Sequence, residues 1–341
     1  MAKVMEQDFC INCRKDTAYK LKQKDIKKVI RGKEYKFHIE EAVCCECGEP
    51  FCPPGFMDKN SKAIDEQYRR YENLIEIEDI KKCMALYDLG KETLSKALGF
   101  GEITIARYLK GQIPSKEYSD RIRSVLYSVN VMEELLERNH NLLTDIAYTK
   151  AKSKIEEIKT EFSSISPKLL AVIYVLFENL EEITPLMLQK LLYYIQGIFM
   201  VNYNRPMFVE NCEAWKHGPV YPQVYFLFKK FRYNPIEDER FSLLKGKENV
   251  LSKEEKEVIQ LVAKTFGTYG GKALEIITHK EKPWCEARNG LAEYMPSNAV
   301  IDKEDIFNYF MFVKKTFDLT NEKGINEYIK DKMSEGRSEI T

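Results

Sequence analysis

The 341-residue chain has no excess of charge of either sign, since 53 Lys and Arg stand against 53 Asp and Glu. No global field therefore steers it to nucleic acid or an acidic membrane, and any such role needs a local argument. Long apolar runs are missing too: the longest, Leu169–Phe177, has nine residues, well short of the roughly 20 that a membrane-spanning helix needs. The amino terminus shows no basic-plus-apolar leader, and the expectation is a soluble, cytoplasmic protein without a membrane partner. Catalytic signatures are likewise lacking, with no G-x-S-x-G, no H-E-x-x-H and no phosphate loop. The segment Gly267-Thr268-Tyr269-Gly270-Gly271-Lys272 is spaced somewhat like a phosphate loop, but Ala273 stands where Ser or Thr is needed and no strand precedes it. It reads as a helix C-terminus with permissive glycines, and the expectation is that the protein is not an enzyme. Apolar material is plentiful at 44% of residues, enough for two or three domains.

Six of the nine cysteines precede residue 53. Cys10-x-x-Cys13 and Cys44-x-x-Cys47 are two C-x-x-C pairs separated by thirty residues. Two thiolates on one tight turn, faced by two on another, can complete a tetrahedron around zinc. Tyr35, Phe37 and Ile39 alternate after Arg31-Gly32, a hairpin pattern that carries one pair to the other. A module of about fifty residues has little core of its own, so a structural Zn2+ would supply folding free energy. Disulfides, free thiols and redox chemistry are the competing readings, and Cys45, Cys52 and His38 are spare ligands.

From Glu76 onward the periodicity gives short helices broken near Leu89-Gly90, at Gly99-Phe100-Gly101 and at Gly111. Two short helices on a tight Gly-containing turn describe a helix-turn-helix. Its second helix would present Glu102, Thr104 and Arg107 to base edges, with Lys91, Lys96 and Lys110 placed to meet phosphates. Residues 90–130 hold seven basic and four acidic groups; a plain helical bundle with a solvated Arg107 is the blander reading. The two C-x-x-C pairs, Val29-Ile30-Arg31-Gly32-Lys33, Cys47-Gly48-Glu49 and Arg107-Tyr108-Leu109-Lys110-Gly111 together resemble the MqsA-type antitoxins over residues 1 to about 140. That resemblance implies structural zinc on Cys10, Cys13, Cys44 and Cys47, and operon repression as a homodimer through an Xre-like helix-turn-helix with Arg107 reading bases. The family commonly has Asn one turn before that Arg, where this chain has Ile103.

Residues 146–341 hold 28 basic and 28 acidic groups, which leaves no nucleic-acid footprint. Thr184-Pro185 caps a long helix to about Val201, Ser252-Lys253-Glu254-Glu255 is a capping box, and Asp302 starts a further helix. Trp215–Pro222 and Thr278–Trp284 read as two loops holding both tryptophans and two of the four histidines. They are either a site or, as favoured here, a framework in which His217 and His279 tie loops to carbonyls and the tryptophans fill the core. Leu188–Tyr194, Gln196-Gly197, Glu213-Ala214-Trp215, His217-Gly218-Pro219-Val220 and Thr278-His279-x4-Trp284 resemble the Panacea (SocA-like) domain. The resemblance implies an antitoxin domain that contacts a toxin directly, with some members delivering toxin to a protease. Lys190, Tyr193, Trp215, His217, Pro219, His279 and Trp284 carry over as framework residues and no catalytic residue does.

The expected fold is thus mainly α. A zinc-bound β-hairpin module (1–55) is followed by a connector helix (56–75), a helix-turn-helix bundle (76–140), a mainly helical domain (146–320) and a mobile tail (321–341). The expected function is that of an antitoxin that binds a cognate toxin and represses its operon at operator DNA. A regulator sensing a ligand or protein in a phage or mobile-element setting, a proteolytic adaptor, and an enzyme built on His217 or His279 are the alternatives.

Overall fold

The computed structural model describes residues 7–334 and is mainly helical, with an antiparallel sheet near the amino terminus. The chain divides into two compact units, Met1–Ile155 and Glu156–Thr341. In the first, strands β1 (Gln7–Cys10), β2 (Lys15–Ile30), β3 (Lys33–Cys44) and β4 (Pro50–Phe51) form a sheet in sequence order, all antiparallel. Arg31 and Gly32, at φ 52° and 82°, make the two-residue turn between β2 and β3, whose twist matches that of the strands it joins. Helix α1 (Phe56–Tyr71) lies against β3, where Tyr35, Phe37, Tyr68 and Leu74 form a small core. Gln67 completes the β3 edge from α1, accepting from the His38 amide at 2.8 Å and donating to its carbonyl at 2.7 Å, so part of an edge open to aggregation is covered.

The short helices α2 (Ile77–Tyr87), α3 (Lys91–Ala97), α4 (Thr104–Leu109), α5 (Lys116–Tyr127) and α6 (Val129–Arg138) follow. Arg69 of α1 is buried and donates to the carbonyls of Ile75 (2.7 Å) and Gln112 (3.0 Å). A desolvated guanidinium with several carbonyl acceptors is satisfied, and here it pins α1 to the segment that ends α4. Helix α7 spans Asp145–Ser163.

The second unit is built around α9 (Pro185–Tyr203), which is buried on every side from Met187 to Val201. Around it are α8 (Pro167–Asn179), α10 (Pro222–Phe228), α11 (Lys253–Thr265), α12 (Gly271–Thr278), α13 (Lys282–Ala287), α14 (Lys303–Lys314) and α15 (Glu322–Ser334). Three short strands, β5 (Cys212–Trp215), β6 (Gly218–Val220) and β7 (Val300–Ile301), pair in the order β6-β5-β7. The Thr184 cap, with Pro185 in the first turn, and the Ser252/Glu255 capping box both form. Gly197 sits mid-helix in α9, where Gly costs roughly 1 kcal/mol relative to Ala; a Cβ there would strike the Phe310 ring of α14, so the glycine sets how closely the two helices approach. Among the described residues no single helix is long and apolar enough to cross a membrane.

Three sequence expectations are corrected. The tail expected from Asn321 is helix α15 as far as Ser334, with Ile325, Tyr328 and Ile329 fully buried, because an apolar i, i+3, i+4 stripe runs through a polar composition. Residues 335–341 of that tail lie outside the described residues. The Trp215–Pro222 segment is the β5–β6 hairpin running into α10 rather than a loop. Finally, Gly267, Gly270 and Gly271 do not have positive φ. Gly267 and Gly271 instead allow close approach, since a Cβ would stand 2.7 Å from Leu180 or 2.9 Å from the Met187 amide nitrogen.

Candidate functional site

The two C-x-x-C turns are built alike. Cys10 ends β1 and Arg14 (φ 53°) turns its amide back to the Cys10 carbonyl at 2.8 Å; Cys44 ends β3 and Gly48 (φ 76°) returns its amide to the Cys44 carbonyl at 3.1 Å. The left-handed residue after each pair turns the second cysteine toward the first, and pairing of β1, β2 and β3 sets the turns side by side. All four sulfurs lie within 4.8 Å of one another, with Cys10–Cys47 at 3.7 Å and Cys13–Cys44 at 3.8 Å. Four sulfurs at a Zn–S distance of about 2.3 Å would form a tetrahedron with edges of about 3.8 Å, so the donor set fits a tetrahedral thiophilic ion. No disulfide links the cysteines. The Thr17 hydroxyl lies 3.3 Å from the Cys44 sulfur and the Glu46 amide donates to it at 3.4 Å. Led by Thr17, these contacts bring the Cys44 thiol down to about 6, while Asn12 chiefly lowers Cys47. Cys13 is pushed up to about 12, first by its bond to Cys47. Cys45 and Cys52 are exposed and outside the group, and His38 is engaged by Asp25.

In the helical bundle, α3 and α4 are joined by a turn in which Gly99 has φ 70°. Ser95 of α3 is buried, and its hydroxyl accepts the Ile105 amide of α4 at 3.1 Å. This side chain takes the place of a local cap, which Ile103 cannot supply. Lys91, Glu102, Arg107 and Lys110 are exposed and Thr104 is half-buried. Lys96 is held by Glu92 at 2.7 Å and Glu102 at 2.9 Å, so Lys96 and Glu102 neutralise each other rather than facing outward separately. Beside Lys110 and Gly111, a cleft of 580 Å³ has a lining of mixed charge, with Asp58, Asp65, Glu66, Glu76 and Glu78 set among Lys62, Arg69 and Lys81.

In the second unit the motif residues converge on the β5–β6 hairpin. Two buried polar side chains of α9 hold it, Gln189 accepting from the Tyr221 amide at 2.7 Å and Lys190 donating to the Pro219 carbonyl at 3.0 Å, while a third, Gln196, holds the segment before β5 by accepting from the Met207 amide at 2.9 Å. From α13 the Trp284 indole donates to the Trp215 carbonyl at 2.8 Å, and Arg288, which caps the end of that helix, donates to the Ala214 carbonyl at 3.1 Å. His279 stacks on Trp284, centroids 4.0 Å apart and 6° from parallel, and burial lowers its pKa. His217 does not bond a carbonyl as expected: its Nδ1 lies 3.0 Å from Glu275, which Lys272 also reaches at 2.9 Å. Burial opposes ionisation of Glu275, yet these two partners hold its pKa below the usual carboxylate range. Trp284 is buried, whereas Trp215 is only half-buried. Tyr193 is fully buried, edge-on to Tyr194.

A second buried carboxylate went unnoticed in the sequence. Glu281 accepts from the hydroxyls of Tyr194 (3.0 Å) and Tyr328, and burial pushes it up to about 7. Lys190, desolvated nearby, is lowered to about 7. Thr17, Ser95, Gln189, Glu275 and Arg288 were also missed. Of the motif residues, Lys190 and Trp284 hold the hairpin by bonds to its backbone carbonyls, whereas the rings of His217 and His279 engage Glu275 and Trp284.

Residues 188–285 match the family described as antitoxin SocA-like, Panacea domain. The chain is 34% identical over 115 residues to the protein named Antitoxin SocA of Caulobacter vibrioides (strain NA1000 / CB15N), an alignment covering 32% of this chain and 61% of that relative. No solved structure matches the chain. The chain therefore spans about three fifths of the length of the curated relative it matches, and the similarity to the SocA-like Panacea family lies in its carboxy-terminal region.

Proposed function

We propose that this protein is an antitoxin that neutralises a cognate protein toxin by direct contact through its carboxy-terminal domain and represses its own operon through the α3–α4 helix pair. The observation that carries the reading is the SocA-like match over residues 188–285. Its support in the fold is that the matched residues brace a hairpin and a hydrophobic core, an arrangement suited to binding rather than turnover. In the proposed division, residues 1–55 hold one Zn2+ on Cys10, Cys13, Cys44 and Cys47, residues 56–75 connect, and residues 76–140 read operator DNA as a homodimer whose two α4 helices enter successive major grooves. The ion supplies folding free energy to a module too small to keep its shape alone, and four thiolates leave no open position for a substrate. Lys91, Arg107 and Lys110 make the DNA contacts in this reading, while Lys96, neutralised by two glutamates, contributes little.

The test is co-expression with each neighbouring gene, followed by affinity capture. Rescue of growth from one toxic neighbour, with that protein recovered in the complex, is the expected result. Failure of the full chain to rescue or bind any toxic neighbour would defeat the reading.

A further inference from the structure

Three aromatic rings meet at the surface beside the β5–β6 hairpin. Phe226, 55% exposed, packs edge-on to Tyr225 (5.5 Å) and Trp215 (6.4 Å), and Trp215 packs edge-on to Tyr225 (4.9 Å). Hydrogen bonds fix Trp215, and α10 carries the other two rings. The Trp215 indole donates to Glu213 at 2.6 Å, its carbonyl is taken by Trp284, and Tyr225 and Phe226 stand on α10, whose first turn Pro222 opens. Aromatic side chains already fixed in place lose little entropy on binding, and Trp and Tyr are the residues in which binding energy concentrates.

The rim is cationic. The Lys229 ammonium lies 5.1 Å from the Phe226 ring centroid, and Lys216 stands exposed in the hairpin turn. The nearby acid, Glu213, is occupied by the Trp215 indole. A positive, aromatic patch on a chain of zero net charge selects a partner carrying carboxylates beside an apolar anchor.

We infer that Trp215, Tyr225 and Phe226, rimmed by Lys216 and Lys229, form the surface on which an acidic segment of the toxin docks. This rests on the antitoxin reading and gives it an address and a partner chemistry. The experiment uses the purified full chain and the purified product of the toxic neighbouring gene. Phe226→Ser is expected to weaken binding by about 30-fold, the loss typical of a hot-spot side chain. Lys216→Glu with Lys229→Glu is expected to slow association by about 10-fold and to flatten its salt dependence. Val209→Ser, at an exposed apolar position elsewhere, serves as the control, and unchanged thermal melting shows that each variant folds. If the wild type binds and rescues while both patch variants bind as tightly, this surface assignment is wrong and the antitoxin reading stands. If the wild type binds no toxic neighbour, the antitoxin reading itself fails and takes the surface with it. Patch variants that lose only self-association or only oligonucleotide binding, with toxin affinity intact, also overturn the assignment.

Discussion

The Lys190 ammonium, shielded from solvent within α9, donates to the carbonyl of Pro219 at 3.0 Å. Gly218 makes this possible twice over. Its φ of 93° is one that side-chain-bearing residues rarely adopt, and a Cβ on it would lie 2.6 Å from the Lys190 nitrogen and 2.8 Å from the Thr278 hydroxyl. Gly218→Ala is therefore expected to destabilise the carboxy-terminal unit by about 2–4 kcal/mol, combining backbone strain with overpacking. Denaturant unfolding followed by near-UV circular dichroism checks this. An alanine variant as stable as wild type would mean that the hairpin is not tied to α9 in this way.

Two buried ionisable groups give this unit an unusual response to pH. Burial raises Glu281 from 4.5 to about 7, so over that window the folded state keeps a proton that the unfolded chain has released, and the stability it confers is lost as pH rises. Burial lowers Lys190 from 10.5 to about 7; over that window the unfolded chain holds the extra proton, and stability recovers as pH rises. Glu281→Gln should gain on wild type as pH climbs from 4.5 to 7. Lys190→Met should lose ground to wild type from pH 7 upward. Stability curves for the three proteins that stay parallel across both windows would refute the assignment.

The proposed zinc site carries expectations for the residues around it. Cys10→Ser with Cys44→Ser is expected to abolish stoichiometric zinc and to remove amide-exchange protection from β2 and β3, leaving the carboxy-terminal unit protected. Thr17→Val removes only the hydroxyl beside the Cys44 sulfur, so the ion should still bind with affinity reduced by about 10–100-fold, as for other groups that support a ligand. Competition with a chromogenic chelator measures both. Undiminished affinity in Thr17→Val would leave that hydroxyl without a role at the centre.

What the sequence made legible was local. Cysteine spacing, the Arg31-Gly32 turn, the Thr184-Pro185 start of α9 and the Ser252/Glu255 box each depend on residues within a few positions, and each is found where expected. The partners that organise the carboxy-terminal site are far apart in the chain: Glu275 with His217, Glu281 with Tyr194 and Tyr328, Gln189 with the Tyr221 amide. No periodicity encodes such pairings, and a glutamate at the start of a helix reads as a solvated end until tertiary packing buries it. Helix α15 was missed for a different reason. Its composition is polar, and the stripe Ile325, Tyr328, Ile329 was outweighed by the lysines and glutamates around it.

The helix pair offers a separation of stability from recognition. Ser95 is fully buried, accepts the Ile105 amide at 3.1 Å and donates to the Lys91 carbonyl at 2.9 Å, so Ser95→Ala leaves the first turn of α4 without its cap at a cost of about 1–2 kcal/mol. The α3–α4 angle would loosen, and operator affinity should fall along with the melting temperature of the amino-terminal unit. Arg107 is exposed, so Arg107→Ala should leave melting unchanged while weakening operator binding by about 1–3 kcal/mol and relaxing the preference at one base position. Binding isotherms on wild-type and base-substituted operator duplexes, run beside thermal melts, distinguish the two effects. If Arg107→Ala bound every duplex as wild type does, α4 would not be the reading helix, whatever Ser95→Ala did to the fold.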